Sequence, residues 1–93
     1  MMTHQVWKYE LTENERPLQV PPGASKFLSV QAQGEKLCVW ILVNPDDPVR
    51  IDRKYKIVGT GQDINLFGPE NMWSYAGTAQ IGPLVWHVFE EYR

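Results

Sequence analysis

The sequence predicts an all-β fold: a small antiparallel sandwich or barrel of about six strands, with little or no helix. Three observations carry this expectation. Apolar and polar residues alternate over several short runs, glycine, proline, asparagine and aspartate separate those runs, and none holds a helical period of useful length. The chain has 93 residues, 43% apolar and 22% charged, so one β-rich domain with a real core is expected over residues 1–93. Four Trp, four Tyr and three Phe offer large areas for burial, and any left outside would make a binding surface.

Residues 5–11 alternate, with Trp7, Tyr9 and Leu11 on one face and Lys8 and Glu10 on the other. The polar run Thr12-Glu13-Asn14-Glu15-Arg16-Pro17 reads as a loop, and Val20-Pro21-Pro22-Gly23 is expected to stop regular structure. In residues 27–32, Leu28, Val30 and Ala32 oppose Ser29 and Gln31. Gln33-Gly34-Glu35 links them to residues 37–43, which makes an antiparallel hairpin. That second run, Leu37-Cys38-Val39-Trp40-Ile41-Leu42-Val43, is apolar on both faces, as a central strand covered on both sides would be.

Asn44-Pro45-Asp46-Asp47-Pro48 is a turn, because proline fixes φ and Asn and Asp bond the nearby backbone. Residues 50–58 then alternate as one outer strand, with Ile51, Arg53, Tyr55 and Ile57 opposite Asp52, Lys54 and Lys56. Residues 59–70 form a long surface loop pinned by Ile64, Leu66 and Phe67, with room for one helical turn. Residues 72–79 and 84–89 are the last strands, joined through Gln80-Ile81-Gly82-Pro83. Trp73, Tyr75 and Gly77 share one face of the first of these strands.

The stretch KYKIVGTGQDI, residues 54–64, raises the functional question. Gly59-Thr60-Gly61 either turns the chain at a strand end or exposes consecutive amides as an anion-binding nest. Arg50, Arg53, Lys54 and Lys56 place four of the nine basic residues within a few positions just before it. Arginine there would add bidentate phosphate contacts. Trp73 and Tyr75 would stack on a base or anchor a partner if they are not core residues. The candidate ligand-binding set is therefore Arg50, Arg53, Lys54, Gly59, Thr60, Gly61, Gln62, Trp73 and Tyr75, and a solvated strand face followed by a turn is the bland alternative. The pattern is neither a P-loop, which needs a glycine-lysine pair, nor a dinucleotide fingerprint, which needs a third glycine and a helix.

Other chemistry is sparse. A net charge of −2 argues against general nucleic-acid binding, while a focused basic patch could still take a small nucleotide. The only histidines are His4 and His87; with the lone Cys38 they are too dispersed for a zinc site, and no cofactor is expected. Glu90 and Glu91 are adjacent and point to opposite faces of a strand. Catalysis is thus not expected, with a small hydrolase using His87 as the alternative. Cys38 lies in an apolar run and reads as a buried thiol of a reducing cytoplasm. No run approaches the roughly 20 apolar residues of a membrane span, and the first residues lack the order of a secretion signal. Self-association through an edge strand or apolar face would suit so small a sheet protein.

Taken in order, VWKYEL, PPGASKFLSVQAQ, LCVWILVNPDDP, YKIVGTGQDI, YAGTAQ and LVWHVFEEY resemble a family of small uncharacterised proteins encoded by tailed bacteriophages and prophages. The resemblance spans nearly the whole chain. Members of that family often carry histidine after the second glycine, where this chain has Gln62, so a proton-transfer role there does not carry over. The resemblance implies a phage accessory protein in the cytoplasm of the infected bacterial host. Such a protein binds and blocks a host component, a host protein or a small nucleotide signal, and the alternative is a structural or assembly component of the particle.

Overall fold

The computed structural model describes residues 3–12, 16–22, 26–68 and 72–92. Among them there is no helix. Eight strands run in chain order: β1 (Gln5–Leu11), β2 (Leu18–Val20), β3 (Lys26–Gln33), β4 (Lys36–Val43), β5 (Ile51–Arg53), β6 (Tyr55–Gly59), β7 (Met72–Ile81) and β8 (Leu84–Tyr92). They form two three-stranded antiparallel sheets, β1-β4-β3 (sheet A) and β6-β8-β7 (sheet C), and a two-stranded ribbon, β2-β5 (sheet B). The sandwich is open; no barrel closes.

Both long hairpins turn as their glycines require. Gly34 (φ 62°) and Gly82 (φ 58°) each occupy the first central position of a two-residue loop, where the mirror-image hairpin turns need positive φ. The turn after β4 also matches expectation: Asn44 Oδ1 accepts the Asp46 amide at 3.0 Å, and Asp47 Oδ1 accepts that of Val49 at 2.9 Å.

β4 is the middle strand of sheet A, and its inner residues Leu37, Val39, Ile41 and Val43 are buried. They pack with Val30 from β3 and with Tyr55, Ala79 and Val88 of sheet C. Among the described residues no second layer covers its outer face, which corrects the expectation of a strand covered on both sides. Cys38 is shielded there by neighbours in register, Glu10 and Gln31, with Lys8 Nζ reaching Gln33 Oε1 at 2.5 Å and Lys36 pairing with Glu10 at 3.6 Å. Trp40 and Leu42 are only half-buried.

Five further points depart from expectation. Regular structure does stop at Pro21 and Pro22, but a short strand not expected from the sequence precedes the break, and its Val20 is fully buried and, with Leu18, joins the ribbon to the core. Residues 50–58 are not one strand but β5 and β6, in different sheets, so alternation fails across Lys54 and Ile51 is exposed while Tyr55 is buried. A bulge between Phe27 and Ser29 turns Phe27 to the core and leaves Leu28 44% exposed. A second bulge between Tyr75 and Gly77 puts those two residues on opposite faces. In the loop after β6, Phe67 pins nothing with its ring, which is 68% exposed; its backbone bridges to Met72 instead. The expected break at Gly23 and most of the polar loop at 13–15 lie outside the described residues.

The two sheets meet along β3 and β7. A Cβ on Gly77 would stand 2.8 Å from Val30 Cβ, closer than carbon atoms tolerate. Gly77→Ala should therefore push β7 off β3 and cost about 1–3 kcal/mol, the usual range for overpacking. Urea denaturation measures this, and an unchanged midpoint would show that the contact gives way freely.

Candidate functional site

Gly59 to Gln62 forms a tight turn. The Gln62 amide donates to Gly59 O at 3.1 Å, and Gly61 has φ 89°, as the third position of a type II turn demands. The turn also consumes its own donors. Gln62 Oε1 accepts the Gly59 amide at 2.6 Å, and the Thr60 amide donates to Val85 O at 3.3 Å. Of the four amides that a phosphate nest would use, three bond within the protein. Gln62 thereby covers the end of the β6 edge.

The basic residues are committed in the same way. Arg50 donates to Asp47 O at 2.6 Å and lies 5.5 Å from the Trp7 ring centroid. Arg53 Nη2 pairs with Glu90 Oε2 at 2.7 Å, with both side chains about one-fifth exposed. Lys56 Nζ donates to Asn65 O at 2.8 Å and stands 4.8 Å from the Trp73 ring. Among these four only Lys54 keeps an uncommitted ammonium. The predicted site residues are thus neighbours in the fold, but their charges hold strands and loop together.

Glu90 is the pivot of this network. The buried Tyr55 hydroxyl donates to the same Oε2 at 2.5 Å. Burial pushes the Tyr55 hydroxyl far above the ordinary tyrosine value, and the adjacent Glu90 carboxylate adds to the effect. Tyr9 is raised too, by burial, with Arg50 opposing.

On the outer face of sheet C, Val58, His87 and Thr78 share one rung, and Lys56, Phe89 and Tyr75 share the next. Thr60 Oγ1 lies 2.7 Å from His87 Nε2, Thr78 Oγ1 lies 3.0 Å from Nδ1, and Tyr75 Oη lies 2.6 Å from Thr78 Oγ1. This chain ties the turn to the sheet with both imidazole nitrogens engaged. Trp73 is buried, with Lys56 against its ring and its amide bonded to Leu66 O in the loop; Tyr75 is 62% exposed beside Phe89. The expected aromatic pair does share one face, but Trp73 is buried there beneath Lys56 and the loop while Tyr75 is left exposed.

A cleft of about 550 Å³ opens where β1 and β6 leave the sandwich unpaired. Its apolar wall is Leu11, Leu37, Ile57, Ile81 and Trp86, and Gln62 stands at its rim. Sequence analysis missed Trp86 and Glu90 as site residues, because only strand pairing brings them beside the glycine turn and the basic strand. Among the described residues no group of three or more His, Cys, Asp or Glu could hold a metal, and no helix is long and apolar enough to cross a membrane.

Fold and surface together define a small open antiparallel β-sandwich whose polar side chains are largely committed to its own architecture. The chain matches the domain of unknown function DUF7352 over residues 2–93 and belongs to that family. No curated protein and no solved structure matches it.

Two outcomes test this network. The unfolded chain loses the Tyr55 proton near pH 10 and the folded chain keeps it, so this contribution is complete below pH 10 and lost as pH rises through the folded value. The loss is up to about 1.4 kcal/mol per pH unit. Urea midpoints from pH 8 to 11 should fall, and fall less steeply in Tyr55→Phe; equal slopes would assign the effect elsewhere. His87→Ala should speed hydrogen exchange of the Thr60 amide about five-fold, matching roughly 1 kcal/mol for a net hydrogen bond, while amides of β4 stay unchanged.

Proposed function

We propose that this chain is a phage-encoded accessory protein that binds without turnover and blocks a host protein in the cytoplasm of the infected bacterium. The observation that carries the reading is the outer face of sheet A. Val6 and Leu42 sit in register there, Trp40 is on the next rung, and Leu28 protrudes at the neighbouring bulge. Val6 is 52% and Leu28 44% exposed. Apolar and aromatic side chains left together on one face are what a protein partner covers, with an aromatic residue as the usual anchor. A protein target is favoured over a nucleotide signal because Arg50, Arg53 and Lys56 already have partners and the glycine turn bonds its own amides.

Val6→Asp tests this. Val6 is mostly exposed, so the substitution should move stability by no more than about 0.5 kcal/mol, and it should abolish recovery of the host partner from infected cells. Tyr75→Ser, on the other sheet, should leave recovery intact. Equal recovery by all three proteins would overturn the assignment. Light scattering of wild type and Val6→Asp reads the competing occupant, a second copy of this chain. Mass spectrometry of purified virions reads the alternative of a particle component.

A further inference from the structure

The open side of the sandwich is filled at one end and empty at the other. Leu18 and Val20 of the ribbon enter the core where β1 and β6 do not pair, and Tyr9 Oη donates to Gln19 O at 3.2 Å to hold the ribbon against β1. Beyond the ribbon lies the cleft, whose volume of about 550 Å³ falls in the range of small-molecule sites.

Three features of its lining specify a ligand. Trp86 is half-buried, packed on the core from one side and lining the cleft, so an indole surface is available for stacking. Glu35, at the exposed Gly34-Glu35 turn, supplies a carboxylate that only accepts hydrogen bonds. Gln62 has its carbonyl fixed by the Gly59 amide, which leaves its NH2 group as a donor at the rim. The charged lining is Glu10, Glu35 and Lys36, a net charge of −1, and Lys36 already pairs with Glu10 at 3.6 Å.

We propose that this cleft binds a planar nitrogen heterocycle of the nucleobase type, as a free base or nucleoside without phosphate. The ring stacks on Trp86, an edge N–H donates to Glu35, and a ring acceptor takes the Gln62 NH2. Carboxylates and side-chain amides read base edges in this manner, and the same acidic lining repels a phosphate. The site is independent of the outer face of sheet A, so failure of the host-docking reading leaves it untouched.

The test is titration of the intact protein with adenosine, guanosine and cytidine, followed by tryptophan emission and thermal midpoint. Their 5′-monophosphates, a short single-stranded oligonucleotide and agmatine serve as comparison ligands. At least one nucleoside should change emission and raise the midpoint, with its monophosphate binding more weakly. Glu35→Gln, at an exposed turn, should weaken binding about tenfold while leaving the unliganded midpoint unchanged, and Trp86→Leu should abolish the emission change. Tighter binding of the phosphorylated forms or the oligonucleotide, binding of agmatine alone, or no binding by any nucleoside would each overturn the proposal.

Discussion

With no side chain at Gly77, β7 lies against Val30 closer than any larger residue allows, and sheets A and C meet along this line. Twisted sheets joined on one side diverge on the other. The divergence leaves β1 and β6 without strand partners across the gap, and the chain fills part of it with the ribbon β2-β5. Val20 and Pro21, in a segment rich in breakers, are consequently buried. One backbone contact thus shapes the core, the need for a ribbon and the cleft beyond it.

Charge follows the same constraint. A thin sandwich of this length has little depth, so its polar side chains serve as fasteners. Glu90 receives both Arg53 and Tyr55, joining the end of β5 and the start of β6 to β8. Lys56 reaches the loop, and His87 reaches the glycine turn. An ion pair about four-fifths buried is sensitive to loss of either member, because the survivor stays desolvated. The basic strand is therefore better understood as architecture than as a landing place for anions.

Much of the fold was legible in the sequence. Alternation located β1, β3, β4, β7 and β8, and the doubly apolar β4 announced the central strand. What escaped detection has physical causes. A bulge shifts register by one residue, which alternation alone does not reveal: nothing in the sequence marks the one at Leu28, and Gly77 beside the other is equally compatible with an unbroken strand, so Leu28 and Gly77 fall on the wrong faces. β2 has three residues, too few for a period, and its burial comes from the gap it fills. The candidate site was partly legible. Strand pairing does gather the glycine turn, the basic strand and His87, but hydrogen bonding shows how those groups are occupied. Trp86 and Glu35, 51 positions apart in sequence, line one cleft only because the fold sets β8 beside the β3–β4 turn.

Cys38 has a further experimental meaning. It is the sole thiol in the chain, 1% exposed, on the outer side of the central strand beneath long polar side chains. A thiol reagent cannot reach it until β1 or β3 separates from β4. Its rate of modification is then a clock for the parting of sheet A, reporting the free energy of that opening without any added label.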